Sequence, residues 1–357
     1  MTRSVAFYLP QYHPIPENDE AWGTGFTEWT NVRGATARFA GHHQPHVPGE
    51  LGYYDLRDGV TRNAQAELAQ AHGIDAFCYY HYWFGGRRLL QQPFEAVLES
   101  GEPGLPFMLC WANEPWTRSW SGKGGSVLVD QQYGAADDLA HIRALLPAFA
   151  DARYVRHDDK PVFLVYRAGD LPDARRTTDM WREEAARAGI GELFLCRVES
   201  GPGERCDPTR LGFDAAVDFR PDWKSLRPSW SEMAMRRVGH RLGVLESPYR
   251  RETRVSYDRL VSEALTNRAD GYKRFPCVVP SWDNTARRRF GAVVVEGSTP
   301  QLYGAWVEAA LRAQPDLLFV NAWNEWGEGC HLEPDEKWGR GYLEAHRAAV
   351  MAASSVR

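Results

Sequence analysis

The sequence predicts an α/β fold, a (β/α)8 TIM barrel folded as a single domain over residues 1–357 with long βα loops. Three observations carry that expectation. Eight short apolar segments alternate with helical stretches, the order that pairs strands in parallel. The segments are apolar throughout rather than alternating, as strands covered on both faces must be. Polar and aromatic residues gather just after the segments, and the C-terminal face is where a barrel carries its chemistry. Alternation alone fits an open doubly wound sheet equally well. The count of eight, with the gathered residues, favours closure.

The first strand is read at Val5 to Gln11, followed by a long loop from Pro16 to Asp55 that is rich in Gly, Pro, His and Trp. A helix starts near Asp58, a capping residue, and Gly73 stops it. The second strand runs from Ile74 to Tyr80 and the third from Pro106 to Trp111, with a helix over Phe94 to Leu98 between them. A helix at Leu139 to Phe149 precedes strand four, Pro161 to Tyr166, and one at Thr178 to Ala188 precedes strand five, Leu193 to Val198. Strand six is Ala215 to Phe219. A polar stretch and a helix over Tyr257 to Leu265 lead to strand seven, Pro276 to Pro280. A helix at Tyr303 to Ala313, strand eight at Leu317 to Ala322 and a last helix at Tyr342 to Met351 complete the reading.

Composition narrows the function. The net charge of −5 and pI near 6.1 give no broad basic surface for nucleic acid or an anionic membrane. No apolar run is long enough to span a bilayer and no leader pattern opens the chain, so a cytoplasmic protein is expected. Aromatic residues make up 12% of the chain, including 14 Trp, a surplus that packs cores or lines ligand sites. Of the six cysteines, Cys78, Cys110, Cys196 and Cys277 fall in strands as small hydrophobes. Cys206 and Cys330 fall in loops, which leaves a bridge between them open.

The strongest chemical signal follows strand eight: Asn321-Ala322-Trp323-Asn324-Glu325-Trp326-Gly327-Glu328-Gly329. Two carboxylates three residues apart can share one side of a turn, and cleaving a glycosidic bond with retention needs two such groups about 5–5.5 Å apart. Glu325 and Glu328 are therefore the expected catalytic pair. Trp323 and Trp326 would offer apolar faces to sugar C–H groups, and Asn324 a contact to a hydroxyl. The competing reading is a solvated acidic loop with packing tryptophans.

Further candidates for substrate binding come from other strand ends. Trp111, Asn113, Glu114 and Trp116 lie in a Trp-Ala-Asn-Glu-Pro-Trp motif, and Glu114 is a rival catalytic carboxylate. Tyr12 and His13 follow strand one, with Glu28 and Trp29 in the next loop. Tyr80, His81 and Trp83 follow strand two, and Trp282 and Asp283 follow strand seven. Each has a structural alternative. Glu114 could anchor its own loop, and alternation must turn some rings of the Tyr79 to Trp83 run into the barrel wall. His42, His43 and His46 cluster in a Pro/Gly loop, where no carboxylate spacing completes a metal site, so none is expected. Arg287, Arg288 and Arg289 read as a solvated face unless the substrate carries phosphate or uronate.

Several of these segments together resemble a known family. Phe7-Tyr8-Leu9-Pro10-Gln11-Tyr12-His13-Pro14, Gly25-Phe26-Thr27-Glu28-Trp29-Thr30-Asn31-Val32, His81-Tyr82-Trp83-Phe84, Trp111 to Trp116 and Asn324 to Gly329 are similar to the WbsX family. Its members carry the label of lipopolysaccharide-biosynthesis glycosyltransferases, and it is related to glycoside hydrolase family 99, the endo-α-mannosidases and endomannanases. The likeness implies a metal-independent, cofactor-free retaining barrel. It implies that Glu325 acts as base toward the sugar 2-hydroxyl, which attacks C1 to give a 1,2-anhydro sugar. It implies that Glu328 is the general acid/base. Such chemistry needs an axial 2-hydroxyl, as in α-mannose or α-rhamnose.

The sequence thus predicts an endo-acting retaining glycoside hydrolase on an oligo- or polysaccharide, with a glycosyltransferase or transglycosylase as the alternative. Against a sugar-nucleotide transferase, the sequence has no Asp-x-Asp and no Gly-rich phosphate loop after strand one. A binding module without turnover would not need a convergent acid pair.

Overall fold

The computed structural model describes residues 2–117, 127–201, 204–228, 230–244, 252–266 and 271–355. Eight parallel strands close into a barrel: β1 (Arg3–Tyr8), β2 (Ala76–Phe84), β3 (Phe107–Trp111), β4 (Lys160–Val165), β5 (Phe194–Val198), β6 (Ala215–Asp218), β7 (Arg274–Val278) and β8 (Leu317–Val320). Each strand pairs with the next in sequence, and closure comes from β8 against β1, with Val5 opposite Phe319. Helices lie between the strands, so the fold is the (β/α)8 barrel that the alternation predicts.

Burial explains the apolar runs. Every residue of β3 and β8 is buried, because one face meets the barrel interior and the other the helix layer. The interior holds rings such as Phe7, Phe219 and Phe319, with Phe7 5.3 Å from Phe219 and 5.5 Å from Phe319. Outside, Trp181 on helix Ala174–Arg187 packs on Phe163 of β4 and donates from Nε1 to the Asp138 carbonyl at 3.0 Å.

Three features differ from expectation. β2 runs on through Phe84, because Tyr, His, Tyr, Trp and Phe suit an extended strand. The stretch read as one loop after strand one contains two short helices, Pro16–Trp22 and Glu28–Gly34. The polar stretch after strand six contains a helix, Trp230–Arg241. The six cysteines are free, and the two loop cysteines stand in different environments, Cys206 exposed and Cys330 buried with its thiol donating to the Asn321 carbonyl.

A small extra sheet stands at the C-terminal face. Thr253–Ser256 pairs parallel with Val293–Glu296, which pairs antiparallel with Trp282–Asp283. The last two segments frame the loop 284–292. Asn284 Oδ1 accepts from Val293 N at 2.8 Å, and the Arg38 guanidinium donates to the carbonyls of Thr285 and Arg288. These bonds turn an arginine-rich loop into a fixed part of the barrel mouth.

Candidate active site

The site is built at the end of β8. Asn324 turns inward and holds the backbone of β1's end, its Oδ1 accepting from Leu9 N at 2.7 Å and its Nδ2 donating to Leu9 O at 3.0 Å. The Tyr12 hydroxyl donates to the Asn324 carbonyl. A single helical turn, Trp326–Glu328, then follows, closed by Gly329 at φ 57°. Trp326 is pinned beneath it. Its Nε1 donates to Glu333 Oε2 at 2.6 Å, and its ring stacks on His331 at 3.6 Å between centroids. The buried Glu333 carboxylate also accepts from Tyr54 Oη at 2.7 Å and Gln65 Nε2 at 2.6 Å, and burial pushes its pKa up to about 7. With the turn held on both sides, Glu325 and Glu328 project together.

One cation joins them. Arg287 Nη2 lies 2.8 Å from Glu325 Oε2, Nη1 lies 3.0 Å from Glu328 Oε1, and Nε lies 2.8 Å from Glu28 Oε1. Arg287, Glu28 and Glu325 are all buried side chains, while Glu328 is a quarter exposed. Three carboxylates around one guanidinium leave the cluster net negative. Burial pushes both Glu325 and Glu328 up from the usual carboxylate range, their mutual repulsion and Glu28 add to it for Glu325, and Arg287 opposes the rise in both. The pair is thus disposed to hold a proton near neutrality, which is what acid/base work requires. Gly327 is needed here, since a Cβ would stand 1.7 Å from Glu28 Oε1 and 2.8 Å from Arg287 Nε.

Above the pair opens a cavity of about 470 Å³. Glu325, Glu328, Arg287 and Arg288 line it, with Tyr80, Tyr82, Trp116, Trp223 and Trp282 supplying apolar walls. Glu114 lines it too, as half-exposed rim, paired with Arg167 at 2.7 Å. Among the expected binding residues, Tyr80, Glu114, Trp116 and Trp282 therefore meet Glu325 and Glu328 at one cavity.

The others are placed elsewhere. On β2, alternation sends Tyr80 and Tyr82 inward and their neighbours outward. His81 Nε2 meets His141 Nε2 at 3.0 Å in the helix layer, and Trp83 stacks on His141 at 4.9 Å. Trp111 is fully buried on the same outer side, 4.5 Å from His141. Asn113 is fully buried and clamps the Arg167 backbone, with bonds of 2.7 Å and 2.9 Å. Trp323 and Trp326 are buried packing residues, and Asn324 holds backbone rather than a hydroxyl. Tyr12, Trp29 and Tyr54 form a buried aromatic group under the turn, and His13 is buried beside it in sequence. Glu28 pairs with Arg287 away from the cavity, and Asp283 is buried against His42, Gln44 and Thr285. None of these residues lines the cavity.

Arg287 is the main departure from the sequence reading, which took it as solvent-facing. Three consecutive arginines carry no signal for which one turns inward; the fold of the 284–292 loop decides it. Tyr82 and Trp223 are further lining residues not singled out, and the two-residue alternation from Tyr80 would have found Tyr82. Among the described residues, the group able to gather three metal-ligating atoms lies behind Trp326, at His46, His331 and Asp335. The histidine loop thus meets a carboxylate that lies far away in sequence.

Residues 4–346 match the family model described as Glycosyltransferase WbsX. The chain belongs to the WbsX family. A protein of Xanthomonas campestris pv. campestris described as "Uncharacterized protein WxcX" is 42% identical over 359 residues, covering 99% of this chain and 50% of that one. The chain spans about half the length of the curated relatives it matches. Among solved structures, the GH99 endo-alpha-mannosidase from Bacteroides thetaiotaomicron shares the fold, with a TM-score of 0.59, 14% identity, and coverage of 99% of this chain and 98% of that one. A "Glycoside hydrolase-like protein" has a TM-score of 0.60 at 15% identity over 98% of this chain and 93% of its own.

Proposed function

We propose that this WbsX-family chain is a retaining glycoside hydrolase that cleaves within α-linked mannose- or rhamnose-like oligo- or polysaccharides, residues 1–357 forming one catalytic domain. The observation that carries the reading is the Glu325–Arg287–Glu328 bridge at an aromatic-walled cavity. The cavity volume falls in the range of about 300–1,000 Å³ usual for small-ligand sites. The rings of Tyr80, Trp116, Trp223 and Trp282 suit the apolar faces of sugars.

In the proposed mechanism the sugar's 2-hydroxyl donates to Glu325. That hydrogen bond favours the Glu325 carboxylate and leaves the pair's proton on Glu328, the more exposed of the two. Glu325 removes the hydroxyl proton as the 2-oxygen attacks C1. Glu328 protonates the departing glycosidic oxygen. Glu328 then takes a proton from water, whose oxygen attacks C1, and Glu325 returns its proton to the 2-oxygen. Arg287 keeps both carboxylates oriented and limits the rise in their pKa. No step draws on a cofactor. An acceptor sugar in place of water gives transfer instead of hydrolysis, the second reading, which the family's name favours.

The test is digestion of α-mannan and rhamnan oligosaccharides, read by product mass and anomeric configuration, with Glu325→Gln and Glu328→Gln as controls. Retained products that vanish in both variants support the hydrolase. Products longer than the substrate support transfer. Cleavage that persists in both variants removes the assignment of the pair.

A further inference from the structure

Behind the catalytic turn lies a second, smaller cavity of about 260 Å³, and three of its residues converge. His46 Nδ1 is 2.9 Å from His331 Nε2, and an oxygen of Asp335 lies with them inside a 4.8 Å span. His331 Nδ1 contacts the Glu333 carbonyl at 3.0 Å, so that nitrogen carries the proton and Nε2 presents its lone pair. Asp335 Oδ1 accepts from Trp338 N at 2.6 Å, which fixes the carboxylate. An imidazole tied through its far N–H to a carbonyl, beside a hydrogen-bonded carboxylate, is how metal-binding ligands are oriented.

The neighbouring histidines sharpen the picture. His42 is already committed, Nδ1 accepting from Arg38 N at 3.0 Å and Nε2 meeting Asp283 Oδ2 at 2.7 Å. His43 is different. Its Nε2 is buried without a hydrogen-bond partner, and its ring lies 5.0 Å from that of His46. With Nδ1–H of His331 given to a carbonyl and its Nε2 facing His46 Nδ1, the two rings share one proton between them, a neutral pairing that a cation can displace. Lys337 is the nearby opposing charge, held over the Trp338 ring at 5.2 Å.

We infer that His46, His331 and Asp335 form a binding site for a divalent first-row cation, zinc(II) by its donor set, with His43 beside it. Two imidazole nitrogens and one carboxylate suit zinc, and tetrahedral coordination leaves room for one further donor. On binding, the cation takes the place of the proton between His46 and His331, and His46 carries its proton on Nε2. The site would clip the 42–48 loop to the segment after the catalytic turn, residues 285 apart in sequence for His46 and His331. Since His331 stacks on Trp326, the cation would brace that turn from behind without touching substrate.

The test uses the untagged full chain, stripped with a chelator and then titrated with zinc chloride. Metal content, thermal unfolding and the visible spectrum of the cobalt(II) form are read, beside Asp335→Asn and His46→Gln. One equivalent of zinc, a raised unfolding temperature and an intense tetrahedral cobalt spectrum are expected. Each variant should lose more than ~100-fold in affinity, since even outer partners of a ligand cost about 10–100-fold. Circular dichroism of the stripped variants shows whether each folds. Wild-type protein that takes up no zinc, or folded variants that bind it as tightly as wild type, overturns the site.

Discussion

Two Asn-Glu pairs, one after β3 and one after β8, begin alike and end differently. In both, the asparagine is fully buried and clamps the backbone at the end of the adjacent strand. Asn113 holds Arg167 after β4, and Asn324 holds Leu9 after β1. In both, the glutamate that follows meets an arginine. There the likeness stops. Glu114 is half exposed to solvent and pairs with Arg167, which also pairs with Glu204. Glu325 is buried and shares Arg287 with two more carboxylates, and its pKa is driven upward. The motif places a carboxylate at a strand end; the number of charges and the depth of burial around it decide whether it is fit for proton transfer.

The largest effect expected from that contrast is on turnover. Glu328→Gln and Glu325→Gln should each lower kcat by about 10²–10⁴-fold, the usual worth of a positioned acid or base. An activated leaving group should rescue Glu328→Gln and not Glu325→Gln, since only the former's first task is to protonate the departing oxygen. If Glu114→Gln is the dead variant and Glu328→Gln retains activity, the comparison is inverted and β3 carries the chemistry.

Arg287→Met should be costly to the fold, because removing one partner of a buried ionic cluster costs about 3–5 kcal/mol. Urea denaturation reads that loss. The sign of the accompanying pH effect is fixed. Arg287 lowers the pKa of Glu325 and of Glu328, so its removal raises both. The proposed mechanism needs one of the pair ionised and the other protonated, so the whole bell-shaped profile should move to higher pH. Glu28→Gln removes a charge that raises both, and should move the profile the other way. A profile that stays in place in both variants separates the measured acid and base from this cluster.

Much of this was legible before the fold. The eight strands follow from continuous apolar runs such as Leu317 to Val320, and Asp58 caps its helix through Val60 N and Thr61 N. The Glu325 and Glu328 pair was legible because three-residue spacing on a turn is a local property. Arg287 was not, since its inward turn depends on a small sheet whose strands lie as far apart as Thr253 and Val293. Nor was the burial of Trp111, Trp323 and Trp326. A tryptophan at a strand end reads the same whether it faces sugar or the helix layer, and only the registers of β2, β3 and β8 separate the two. The Asp335 partner of the histidine loop is hidden for the same reason, being nearly 300 residues downstream.

The two asparagine clamps offer a test at lower amplitude. Asn324→Ala takes the partners from the Leu9 N–H and C=O, and Asn113→Ala takes the partner from the Arg167 N–H while the Arg167 C=O keeps the Asp170 N–H, a cost of about 1–3 kcal/mol in each case. Losses of stability are expected on denaturation for both, with a fall in kcat only for Asn324→Ala, because only that clamp orients a proposed catalytic carboxylate. Equal falls in kcat would mean that Glu114 also needs a fixed position.

The smallest effect, and the one that most sharpens the contrast, is at Glu114 itself. An ion pair this exposed contributes about 0–1 kcal/mol, so Glu114→Gln should leave the unfolding transition almost unmoved. Because Glu114 lines the rim of the cavity, the change should appear in KM, with kcat near wild type. Raising the salt concentration should weaken whatever Glu114 contributes at that exposed rim and leave the buried pair's contribution intact. A kcat loss approaching that of Glu328→Gln, insensitive to salt, would show that Glu114 reaches the reacting bond and that exposure in the free enzyme is not its state with sugar bound.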